Sequence, residues 1–190
     1  MINKALQFTS DVLDQFLKNR FALDESKVIL NNLIESNGSV PQINQNKIVI
    51  SLINIEKETA KPFYSRSQKI SNGNYSDINP AERFNLDVLI SSNFDDYNET
   101  LRFLNAAIVF FQVNNVLDAS VSSNIPAGLN KLEFEVERIT YHQMQSLWTA
   151  MGAKYQPSII YKMRLITIQG GETEGFTAGI SGVQNKATQE

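Results

Sequence analysis

The sequence predicts an α+β fold, a single domain with a mostly antiparallel sheet packed by about three helices, and three observations carry this reading. Segments near 84–91, 132–137 and 158–168 alternate apolar and polar residues at the two-residue period of half-buried strands. Stretches near 3–20 and 97–111 instead repeat apolar residues at spacings of three and four, the mark of a helix with one buried stripe. The predicted order is helix, three strands, helix, strand, helix, strand, which lacks the regular strand–helix alternation of a parallel α/β sheet. A chain of 190 residues is long enough to bury one continuous core.

The first helix runs from about residue 3 to 20, with Ile2, Leu6, Leu13, Phe16 and Leu17 on its inner stripe. Lys27 to Leu30 is a short strand. Lys47 to Ile55 is a longer one, with Ile48, Ile50 and Leu52 on one face and Val49, Ile53 and Ile55 on the other. Apolar residues on both faces place it in the middle of a sheet covered by helices, or in a sheet buried between subunits. Ile34 to Gln45 holds Asn37-Gly38 and Pro41 and reads as a loop. Glu56 to Arg83 is the longest polar segment and also reads as a loop, mixing Lys61, Arg66 and Lys69 with Phe63 and Tyr64. Long loops of this composition either cover a neighbouring subunit or stay solvated.

Phe84, Leu86, Val88 and Ile90 give the next strand one buried face. Tyr97, Leu101, Leu104, Ile108 and Phe111 then form the predicted buried stripe of the second helix, with Asn93 or Asp95 as its N-cap. Leu132, Phe134 and Val136 alternate with Glu133, Glu135 and Glu137. Thr140 is placed to cap a short third helix, and Gly152 to end it in the left-handed conformation. The last strand, Ser158 to Ile168, sets Ile159, Tyr161, Met163 and Leu165 against Ile160, Lys162, Arg164 and Ile166. Five of the nine glycines lie between 170 and 182, so the domain is expected to end at residue 168 and a glycine-rich arm to occupy 169–190. Such an arm either dangles or adds a strand to a neighbouring sheet, with Thr173, Phe176, Thr177, Ile180 and Val183 suited to pairing.

A net charge of −3 gives no electrostatic case for gripping a phosphate backbone, so nucleic acid is not expected as a partner. Without cysteine there is no disulfide framework, thiolate metal site or cysteine nucleophile. The longest apolar run, Ala106 to Phe111, is far below the ~18 residues of a membrane span. Met1 to Phe21 carries Asp11 and Asp14 and does not read as an export signal.

Catalytic chemistry finds no foothold. The single histidine, His142, has no ligating residues at metal spacing and reads as structural or exposed. The sequence has neither a Gly-x-Ser-x-Gly elbow nor a phosphate-binding Gly-x-x-x-x-Gly-Lys-Ser/Thr loop. Glu133, Glu135 and Glu137 follow one another at ~7 Å along one strand face. That row is either a solvated surface or an acidic patch for a basic neighbour. Trp148, Tyr155 and Tyr161 read as core or interface anchors. No cofactor, metal or catalytic residue is expected. The candidate interface residues are Lys61, Phe63, Tyr64, Arg66, Lys69, Glu133, Glu135, Glu137, Phe176 and Ile180.

Three segments in this order and spacing resemble one family. They are Asn46 to Glu56; Phe84 to Asn93 leading into Tyr97 and Leu104 to Gln112; and Leu147 to Ser158 with its Trp148, Gly152, Lys154-Tyr155 and Pro157-Ser158, closed by the strand to Ile168. Together they resemble the small terminator or cap proteins of extracellular contractile injection systems, phage-tail-like particles such as the antifeeding prophage and the Photorhabdus virulence cassette. The resemblance covers about residues 2–168 and leaves out the glycine-rich arm. It implies a non-enzymatic homo-hexameric ring on the last layer of inner tube and sheath, which stops polymerisation. It further implies assembly in the cytoplasm, incorporation into a phage-tail-like particle that is either released from the cell or anchored, and sheath and tube proteins as partners. A cap-to-sheath adaptor of the same particle fits the resemblance too. A small ligand-binding or enzymatic domain with an interface-assembled site is the reading from another class.

Overall fold

The computed structural model of the chain describes residues 1–58, 67–69, 75–78, 82–168 and 173–177. It holds two compact units, one formed by Met1–Lys57 with Arg83–Thr167 and a smaller one by Glu58–Glu82 with Ile168–Glu190. The first has the expected α+β fold. It contains α1 (Ile2–Phe21), β1 (Val28–Leu30), a 3-10 turn (Gln42–Asn44), β2 (Lys47–Lys57) and β5 (Glu82–Asn93). These are followed by α2 (Tyr97–Val113), β6 (Val116–Asp118), β7 (Lys131–Val136), α3 (Tyr141–Ala150) and β8 (Ser158–Ile168). The strands form one sheet in the order β1-β2-β5-β8-β7-β6. Only the β1–β2 pair among the registers described for this sheet is parallel; β2–β5, β7–β8 and β6–β7 are antiparallel.

Side-chain alternation splits this sheet into two faces. Ile48 and Ile50 of β2, Leu86, Val88 and Ile90 of β5, Leu132 and Phe134 of β7, and Tyr161 and Met163 of β8 join α1 and α2 in the main core. On the opposite face Val49, Leu89 and Ile160 meet Trp148 of α3 and Leu33 in a second, smaller cluster. The first helix fulfils its predicted stripe. It ends at Ala22 in the left-handed conformation, φ 51°, where the sequence offers no glycine.

The second helix differs from expectation. Its buried residues are Thr100, Phe103, Ala106, Ala107, Phe110 and Phe111, whereas Tyr97 and Leu101 are exposed and Leu104 and Ile108 half-buried. Apolar side chains cover more than half of this helix, so spacing alone allowed two stripes. The observed one puts the small Ala106 and Ala107 between Phe103 and Phe110. These two rings pack against Phe21 and Phe94 (4.8 and 4.4 Å between ring centres) and against Phe16 (5.3 Å). The N-cap is Asp96, which accepts from the Asn98 amide, rather than Asn93 or Asp95. Asp95 is engaged with Gln45 and Asn46 instead.

Two strands are corrected as well. In β5, Asn85, Asp87, Leu89 and Ser91 are as buried as the apolar face, because β2 and β8 flank the strand and material covers both sides. In β2, burial on both faces holds only for Ile48–Ser51; the register shifts between Leu52 and Asn54, and Leu52 and Ile55 emerge at the surface. Strand β6 was not anticipated. Nor were two strands inside the predicted 56–83 loop, β3 (Ser67–Lys69) and β4 (Tyr75–Ile78). In the smaller unit these form an antiparallel three-stranded sheet with β9 (Thr173–Thr177), in the order β3-β4-β9.

Candidate interaction surfaces

The polar side of β7 and β8 carries the charged residues singled out from the sequence. Their register sets Glu133 opposite Arg164 and Glu135 opposite Lys162. The ion pairs run diagonally: Arg164 pairs with Glu135, and Lys162 with Glu137 at 3.5 Å. Right-handed strand twist favours such diagonals. Glu133 pairs with Lys131 of its own strand. Lys162 also reaches Glu56 of β2 at 3.0 Å and Asp87 of β5 at 3.9 Å, so one ammonium serves three carboxylates.

Burial raises the Asp87 carboxyl above its ordinary range, and Glu56 and Glu137 add to the rise. The Asn54 amide, donating to Asp87 at 3.1 Å, and Lys162 oppose it. The Lys162 ammonium is held above its usual value, first by its hydrogen bond to Glu56. The result is an ion-pair lattice of five carboxylates and three cations that ties four strands together. The sequence carried its signal in the matching two-residue periods of Glu133, Glu135 and Glu137 and of Lys162 and Arg164. Which cation met which carboxylate depended on strand order.

The second surface is built on α3. Thr140 and Gln143 make a reciprocal capping box, as a threonine three residues before a glutamine permits, and Gly152 follows the helix with φ 67°. Trp148 is the one buried residue of this helix, at 4% exposure. Its indole N–H points at the Met144 sulfur, 3.1 Å away, and Tyr155 meets its ring edge-on at 5.5 Å. Tyr141 and Tyr155 stand 97% and 65% exposed. Between them lies an apolar hollow of about 830 Å³ that includes Ile139, Met144, Trp148 and Ala153. His142 lies on the exposed side of α3, and Tyr161 is buried in the main core.

Of the other candidate residues, Lys61, Phe63, Tyr64, Arg66 and Ile180 lie outside the described residues. Lys69 falls in β3 and Phe176 in β9, which place their backbone positions only. Among the described residues no cluster of three or more His, Asp or Glu is arranged to hold a metal, and no helix is long and apolar enough to cross a membrane. Sequence reasoning missed the α3 hollow because the residues that frame it come from three short segments, 139–141, 144–149 and 153–155.

The family model described as the Pvc16 N-terminal domain matches residues 9–180. The fold is similar to two solved structures. One is the sheath/tube terminator of an extracellular contractile injection system, PVC, in its extended state: TM-score 0.60, 12% identity, 94% of this chain and 63% of that chain covered. The other is the anti-feeding prophage cap, a tube-terminating cap: TM-score 0.59, 10% identity, 94% of this chain and 60% of that chain. At these identities the likeness is one of fold, and the chain spans about three fifths of the length of either structure. No curated protein sequence matches the chain.

Proposed function

Because the chain belongs to the Pvc16 N-terminal domain family, we propose that it is a structural terminator of a contractile injection particle, a homo-hexameric ring that closes the last layer of tube and sheath and stops polymerisation. The observation that carries this reading is the extent of the fold likeness: 94% of the chain superposes on a sheath/tube terminator and on a tube-terminating cap. A ring end has to match a repeating surface on one side and offer nothing to the next layer on the other, which asks for shape and not for reactive groups. The reading is therefore non-enzymatic. In it the subunit assembles in the cytoplasm, and the ten candidate residues, from Lys61 to Ile180, contribute to contacts with tube and sheath. The 169–190 segment serves as a docking element together with the 58–82 segment, with whose β4 its β9 pairs.

The test is co-production with the tube and sheath proteins of the same particle, followed by negative-stain microscopy with a tagged subunit. Sixfold density at one end, and tubes of uncontrolled length when the subunit is omitted, are the expected result. Bare ends with an unchanged length distribution overturn the reading.

A further inference from the structure

Two of the apolar surfaces that the α+β unit leaves exposed lie on its helices α2 and α3, and they complement each other. One is the flank of α2, where Tyr97 is 64% and Leu101 44% exposed beside half-buried Leu104 and Ile108. The other is the α3 hollow, floored by Trp148 and Met144 and framed by Tyr141 and Tyr155. Contiguous exposed apolar area of this kind marks an interaction site, and exposed tyrosines at a hollow are typical anchors.

Their placement and charge identify the occupant. Helix α2 packs on the sheet face of Ile48, Ile50 and Val88, while α3 packs on the face of Val49, Leu89 and Ile160. The two surfaces thus look away from each other across the sheet and cannot meet within one copy. The start of α2 is acidic, with Asp95, Asp96 and Glu99 exposed; the only cation of the helix, Arg102, lies over the Phe21 ring at 4.5 Å. The segment from Arg138 to Arg164 contains no acidic residue; Lys154, in sequence between Ala153 and Tyr155 of the hollow, is exposed, as is Arg138, which precedes Ile139 and stands with Glu135 and Glu137. Opposite charges around apolar centres fix orientation and suppress the wrong pairing.

We infer that the α3 hollow receives the Tyr97–Leu101 flank of α2 from a second copy of this chain. The contact is head to tail, since each copy offers a knob on one sheet face and a socket on the other. Repeated contacts of this type close into a ring when the rotation permits. The number of copies, six, rests on the proposed function above; the pairing of surfaces does not.

The absence of native cysteine makes the test direct. Full-length chains carrying Tyr97→Cys or Tyr155→Cys, each at an exposed position, are mixed under mild oxidation. The expected product is a disulfide-linked dimer containing one of each, well in excess of either homodimer. In parallel, Leu101→Arg and Tyr155→Arg should each weaken self-association about tenfold or more. Mixed together, they should form dimers and nothing larger, because only one intact knob and one intact socket remain. If wild type and both arginine variants associate alike, and the mixed cysteines do not cross-link preferentially, this surface pair is wrong while the ring reading stands. If the wild type also stays monomeric at high micromolar concentration and leaves particle ends bare, both fall.

Discussion

Asp14 allows the most detailed test of how the domain is held together. It sits in the middle of α1, and its Oδ1 accepts from Ser26 Oγ at 3.0 Å, the Lys27 amide at 2.8 Å and the Val28 amide at 3.1 Å. Its Oδ2 pairs with Lys18 at 2.9 Å. One carboxylate therefore fastens the helix to the start of β1, the strand that edges β2. Burial alone would push this carboxyl up, but the hydrogen bonds from Lys18, Lys27, Ser26 and Val28 together hold it below its ordinary value of 3.8.

Asp14→Ala removes the acceptor and strands two main-chain N–H groups, costing about 1–2 kcal/mol each before partial rehydration, so about 2–3 kcal/mol in all. Asp14→Asn keeps a neutral Oδ1 in place for all three donors. It forfeits the charge and the screened pair with Lys18, about 0.5–1 kcal/mol. Urea titration at neutral pH should separate the two variants by more than 1 kcal/mol, or a few degrees in melting temperature for a chain of this size. The pH dependence has a definite sign. A depressed folded-state value means that the contribution of the charge is complete above 3.8 and disappears as pH falls through the folded value, so parent and Asp14→Asn converge in acid. Equal losses for the two variants would show that charge, not the acceptor geometry, makes the anchor. An alanine variant within 0.5 kcal/mol of the parent would refute the anchor altogether.

Asp87 should behave in the opposite sense: its raised value means that the folded state is penalised increasingly as pH rises from 3.8 through the folded value, so Asp87→Asn removes that penalty and keeps a partner for Asn54. The variant should match the parent in acid and equal or exceed it by up to about 1 kcal/mol at neutral pH; a loss larger than that in thermal melts at pH 7 contradicts the account. Ala22→Gly should raise stability by about 0.5–1 kcal/mol, because glycine takes the left-handed C-terminal position of α1 without the clash of a Cβ. A lower melting temperature for this variant would show that the Ala22 methyl matters more through its contacts than through its backbone.

The legible parts of the fold were those where one periodicity had one solution. Strands β7 and β8 alternate strictly, α1 has a single stripe, and Thr140, Gln143 and Gly152 punctuate α3 through local hydrogen bonding. Helix α2 was recognised as a helix but not in its orientation. Its sequence offers Tyr97, Leu101, Leu104 and Ile108 as readily as Phe103, Ala106 and Phe110, and only the fit of two alanines between phenylalanines decides between them. Polar residues hid the burial of β5, since Asn85, Asp87 and Ser91 read as surface until the flanking strands are known. Strand β6 has three residues and no period to detect. Asp14 gave no local signal either, because its partners lie twelve to fourteen residues away. Among the candidate interface residues, the acidic row was visible and its cationic partners were not, since the β7–β8 pairing is a property of the sheet.

That pairing bears on where recognition energy comes from. A charge already matched within its own chain gains little from an outside partner, because the new ion pair replaces an old one and both are screened by water. Glu135 has Arg164 and Glu133 has Lys131, while Glu137 shares Lys162 with Glu56 and Asp87, so most of the acidic row enters any docking event already paired. The apolar flank of α2 and the hollow of α3 are different: the residues that form them are exposed to water in the isolated domain, and covering them gains free energy in proportion to the area removed. Self-paired charges and uncovered apolar surfaces together favour association governed by fit, with exposed Arg138 and Lys154 and the acidic start of α2 choosing the orientation. A subunit of that kind needs no catalytic motif. Under the proposed pairing its docking residues are tyrosines and a leucine that resemble ordinary core residues until the fold leaves them exposed.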